Sequence, residues 1–180
     1  MYNDLNANDR NNKNGDHNFN RNNSQNNFNN NHGNEEKPVD LTVKDNKGNI
    51  LDFKKEWITI EADADLVTFT DNAGRYMADN ELSASKIRSI FGEIKRIQVS
   101  GYEKNKSSFY LLRPKVAYAV GREKGEKKNS GRSKNINGLL LFRDLFEKAS
   151  GHVTDAKSYQ NFCNFMEALV AYHKANGGDK

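Results

Sequence analysis

The stretch SASKIRSIFGEIKRI, residues 83–97, decides how the rest of the chain is read. Ile87, Ile90, Phe91, Ile94 and Ile97 recur at intervals of three and four, the spacing of one helix face. Lys86, Arg88, Lys95 and Arg96 fall off that stripe, and Ser83 stands where an N-cap belongs. Gly101 marks the stop. A helix with one apolar stripe needs other elements to cover it, so the flanking sequence must supply them.

Downstream, Phe109, Leu112, Val116 and Val120 continue a helical period across Pro114. A proline there either kinks the helix or sits in the first turn of a new one. Gly121 is read as the end of that helix, and 123–134, EKGEKKNSGRSK, as an apolar-free surface loop. A helix over 136–149 carries Leu139, Phe142, Leu145, Phe146 and Ala149. The last helix, capped by Asp155 or Ser158, carries Tyr159, Phe162, Cys163, Met166, Leu169, Val170 and His173 and stops at Gly177-Gly178. Upstream, Leu66, Phe69, Ala73 and Tyr76 give a weaker helix, interrupted in propensity by Thr68, Thr70 and Gly74. The expected class is all-α: a compact helical bundle of about five helices.

Before the bundle the character changes twice. Residues 39–55 begin with alternating Val39, Leu41 and Val43, then the turn residues Asn46-Lys47-Gly48-Asn49, then Ile50, Leu51 and Phe53, which predicts a small hairpin needing something to pack on. Residues 1–38 are asparagine-rich, with isolated aromatics and no periodicity. They predict a disordered tail, because so little apolar surface cannot offset backbone ordering at about 1–2 kcal/mol per residue. The helical domain is therefore 56–180.

Composition narrows the function classes. The 180 residues carry a formal net charge of +4 and one cysteine, Cys163, so no intrachain disulfide forms. No run approaches the roughly 20 apolar residues of a membrane span, and no secretory leader is evident; the expectation is a cytoplasmic protein with no membrane partner. His17, His32, His152 and His173 have no second ligand at metal spacing, and no phosphate-cradling glycine motif occurs, so neither metal nor cofactor is expected. His173 and Cys163 read as packed residues, and Asp63, Asp65, Asp71, Asp79 and Glu81 as a solvated face or one meeting a basic neighbour. No catalytic constellation emerges.

The cations remain. Arg113, Lys115, Arg122, Lys124, Lys127, Lys128, Arg132 and Lys134 crowd into residues 113–134 against Glu123 and Glu126 alone. Arginine forks onto phosphate oxygens and lysine supplies a point charge, while Gly121, Gly125 and Gly131 let backbone approach a ligand. The plainer reading is a solubilising loop. The residue pattern leaves the two balanced. No aromatic platform is read among these cations, so contact with nucleic acid would be with the backbone and independent of sequence.

Three segments, SASKIRSIFGEIKRI (83–97), LLRPKVAYAVGR (111–122) and NFCNFMEALVAYHKANGG (161–178), together resemble the small subunit of the type III-A CRISPR interference complex, the Csm complex. The resemblance spans about residues 80–178 and leaves out the tail and the hairpin. It implies a non-catalytic all-helical scaffold serving antiviral defence. Several copies would stack as an inner filament along the guide RNA–target RNA duplex, touching its backbone, the large polymerase-like subunit and the backbone subunits. The matching segments nominate Lys86, Arg88, Lys115 and Arg122 as RNA-binding; electrostatics adds Lys124, Lys127, Lys128, Arg132 and Lys134. Tyr118, Tyr172 and His173 are read as packing residues holding the last helix against the helix before the loop. The competing reading is a protein–protein adaptor whose basic loop docks an acidic partner without touching RNA.

Overall fold

A computed structural model describes residues 40–130 and 135–178. The expected tail, 1–38, lies outside the described residues. The longest helix, Ala156–Ala175 (α7), is the element most of the others pack on. Its start is a capping box. The Asp155 carboxylate accepts from the Ser158 backbone N–H at 2.8 Å, and the Ser158 hydroxyl accepts from the Asp155 N–H at 3.0 Å. Both residues offered by the sequence as caps are thus used, in one motif.

The remaining elements, in chain order, are a hairpin of β1 (Val43–Lys44) and β2 (Ile50–Leu51), then α1 (Glu56–Thr59), α2 (Ala64–Asp79), α3 (Ala84–Ser100), α4 (Lys106–Tyr110), α5 (Leu112–Ser130) and α6 (Asn137–Ser150). Among the described residues, five helices have 14 residues or more, as the sequence led one to expect. The antiparallel hairpin pairs Val43 with Leu51 and Lys44 with Ile50. Its turn closes on Asp45, whose carboxylate accepts from the backbone of Lys47 and Asn49, with Gly48 at φ 87°. What it packs on is α2: Arg75 donates to Asn46 at 2.6 Å and Val43 is buried.

Two aromatic clusters build the core along α7. Phe165 meets Phe53, Trp57 and Phe69 at one level. Tyr159 and Phe162 meet Tyr102, Phe109 and Phe146 at the other. The apolar stripe read for α7 omitted Phe165; the helix is covered on two sides and so exceeds the single stripe of a surface helix. The Trp57 indole donates to Asp63 at 2.7 Å, and the same carboxylate oxygen caps α2 by accepting from Leu66 at 2.8 Å. Asp63 is thereby a hinge between α1 and α2, and part of the acidic face is structural.

Gly74, which lowers the helix propensity of α2, is what lets that helix approach α7. A Cβ there would stand 2.6 Å from the backbone nitrogen of His173. Gly138 at the start of α6 lies equally close to the Met77 carbonyl. Ser83 occupies the N-cap position of α3 with extended backbone, but its hydroxyl meets Ser85 at 3.0 Å instead of a helix N–H; Gly101 ends that helix at φ 90° as read.

One boundary differs from its reading. Gly121 does not end α5: the helix runs on to Ser130, taking in most of the segment read as a loop. Arg, Glu and Lys are good helix formers, and two ion pairs offset the glycines, each of which costs about 1 kcal/mol. Arg122 pairs with Glu126 at 3.7 Å along the helix, and Lys86 of α3 pairs with buried Glu123 at 3.5 Å. At Pro114 the second alternative holds, since α4 stops at Tyr110 and Pro114 lies in the first turn of α5.

Candidate nucleic-acid interface

Helix α5 rests on the bundle along a narrow line. Leu112, Val116, Val120 and Glu123 are buried, at spacings of four, four and three; they share one side of the helix, which packs on α3 and α6. Everything else described on it from Arg113 to Glu126 is exposed or half-exposed. The cations therefore project from a rigid helix instead of a loop.

The nominated residues separate into three groups. Lys115, Arg122 and Lys124 are exposed on α5. Lys115 and Arg122 lie seven residues apart on one flank, about 10 Å along the axis, and Lys124 lies on the other flank. Arg96 beside Glu93 holds that carboxyl below its usual range, and Lys115 adds a smaller pull in the same direction. Lys127 and Lys128 belong to the last turns of α5. Arg132 and Lys134 lie outside the described residues.

Lys86 and Arg88 do not join this group. The Lys86 side chain is only 16% exposed, and its ammonium is turned onto Glu123, so it ties α3 to α5. Arg88 is exposed, but two residues on is about 200° around the helix, away from the side that meets α5. Arg113, a cation of the same run, is committed too: it donates to the Ser150 hydroxyl at 3.2 Å and the Glu147 carbonyl at 3.3 Å, satisfying the last turn of α6.

The packing role read for Tyr118 is overturned. Its side chain is 71% exposed, because it stands two positions from both Val116 and Val120 and so points away from the buried line. That offset was available in the sequence. An aromatic therefore does interleave with the cations. His173 is packed as read, but against a different neighbour. Its Nε2 lies 2.5 Å from the Leu82 carbonyl, which can only accept, so that nitrogen carries the proton. Gly178 closes over the ring so tightly that a Cβ would overlap it. Tyr172 is half-buried where α7 passes Gly74. None of the three pins α7 to α5.

Cys163 is buried, and that burial pushes its thiol up to about 11. Among the described residues no group of three or more His, Cys, Asp or Glu side chains could hold a metal ion. No helix of the described chain is long and apolar enough to cross a membrane.

Residues 61–179 match the model of the family described as Csm2 Type III-A. The chain belongs to that family. A Csm2-family relative from Streptococcus thermophilus, the CRISPR system Cms protein Csm2, is 30% identical over 121 residues, covering 60% of this chain and 80% of its own length. No solved structure matches. Csm2 membership makes the chain a small subunit of the type III-A CRISPR complex, with other Csm subunits as its partners. The Csm2 match takes in α2 to α7 and begins just after the hairpin and α1, which carry the fully buried Trp57 and Ile58.

Proposed function

We propose that this Csm2-family subunit is a non-catalytic scaffold that lies along the guide RNA–target RNA duplex in a filament of its own copies, gripping the sugar–phosphate backbone through α5. The observation that carries this reading is a helix anchored along one line with Lys115, Arg122 and Lys124 left facing solvent. Held on a helix, these charges lose little freedom on binding, and backbone contacts fix position without reading bases. The same subunit meets the large polymerase-like subunit and the backbone subunits, which carry the chemistry of the complex.

Affinity for a single-stranded oligouridylate, measured against salt, tests it. Each phosphate neutralised contributes a slope of about −0.7, so Arg122→Ala should make the log–log slope shallower by about that amount. An unchanged slope removes Arg122 from the interface.

The adaptor reading has one observation in its favour: Tyr110 and Leu111, at the base of α5, are 57% and 59% exposed. Crosslinking RNA in the assembled complex separates the two. Adducts on α5 support the RNA scaffold; adducts confined to other subunits support the adaptor.

A further inference from the structure

We infer that Tyr118 is a stacking platform for an unpaired RNA base, with Lys115 and Arg122 holding the phosphates on either side of that nucleotide. The inference rests on the RNA-binding reading of α5 and assigns to it a non-ionic contact. On a helix the neighbours of position 118 lie three and four residues away: Pro114, Lys115, Gly121 and Arg122. Two are cations on one flank. The other two are short, and a Cβ built at Gly121 meets nothing within 4 Å. The ring therefore stands beside open space on one side and positive charge on the other.

Nothing within the described chain occupies it. Among the described residues Tyr118 makes no hydrogen bond and no ring contact, although ten of the aromatic side chains from Phe53 to Phe165 are engaged in such pairs. An exposed tyrosine costs solvation without stabilising the fold, and its flanking cations select a polyanion over a neutral protein surface. A base offers a flat face only when it is out of a duplex stack, so the occupant is an unpaired nucleotide.

The test uses full-length protein with two labelled probes, a single-stranded oligouridylate and a fully paired RNA duplex of the same length. Tyr118→Ala should weaken strand binding about tenfold, leave the salt slope unchanged and leave duplex binding as in wild type, while Tyr118→Phe should bind like wild type. Equal loss on strand and duplex would overturn the stacking, as would a Phe variant that fails like the Ala variant. If RNA binding is salt-sensitive yet indifferent to Tyr118→Ala, the stacking falls and the backbone reading survives; if the wild-type protein binds no RNA, both fall. Loss of incorporation into the complex with RNA affinity intact would give Tyr118 to a protein partner and overturn the assignment.

Discussion

A single carboxylate at Asp155 closes the start of the helix that organises the core, and its chemistry sets how that start responds to acid. The hydrogen bonds from Ser158 hold the carboxyl below the usual range. A lowered folded value means the contribution is present above the unfolded value, near 3.9, and is lost as pH falls through the folded one. Asn accepts the same cap bond without titrating. Asp155→Asn should therefore be less stable than wild type at neutral pH, with the gap closing towards about pH 3, as read from urea midpoints at the two pH values. Cys163 gives a second prediction at this scale. With its thiol buried and raised to about 11, the native protein should resist a thiol reagent at neutral pH and react at once in concentrated guanidinium. Rapid labelling of the folded protein would reopen a reactive role for it.

At the scale of elements, glycine decides where the sequence could be read and where it could not. The apolar spacing of α3, α6 and α7 gave their faces because each buries a broad stripe at helical period. Gly101 stops α3 as a left-handed residue should. Gly121 has the same neighbours a terminator has, cations and no apolar residues, and yet stays inside α5. What keeps it there is Lys86 on α3 meeting Glu123, a pairing 37 positions distant in sequence that no local pattern displays. The two kinds of glycine give opposite predictions. Gly121→Ala adds a Cβ into open space and should stabilise the protein by up to about 1 kcal/mol. Gly74→Ala drives a Cβ against the α7 backbone and should destabilise it by about 1–3 kcal/mol. Thermal melts of both variants check the pair; a stabilised Gly74→Ala would mean that α2 and α7 are farther apart than described. Tyr118 was misread for a different reason. Its exposure follows from the phase of the buried line, but tyrosine as a residue type suggests packing, and type was given more weight than phase.

Across the whole molecule the charge is divided. Residues 40–82, the hairpin with α1 and α2, hold ten acidic and five basic side chains, whereas 84–134 hold fourteen basic and four acidic. Part of the acidic set is committed to structure, through Asp63 at its cap and Asp65 against Lys54. A small net charge of +4 therefore conceals a strong polarity, which turns one end of the molecule towards a polyanion before contact. The same polarity explains why counting cations in the sequence overstated the site: Lys86 and Arg113 are spent on holding α5 to its neighbours, and only the charges beyond them face outward. Stability and binding should accordingly separate by residue. Lys86→Ala removes the ammonium beside a buried carboxylate and should lower stability by about 1–3 kcal/mol while leaving the salt slope of RNA binding unchanged. Arg122→Ala, whose pair with Glu126 is more than half exposed, should leave the melting temperature within error and make the slope shallower. Melts and salt titrations on both single variants and the double variant measure this directly. If Lys86→Ala flattened the salt dependence as Arg122→Ala does, the ammonium of Lys86 would belong to the RNA surface, and the division between fastening and gripping charges would not hold.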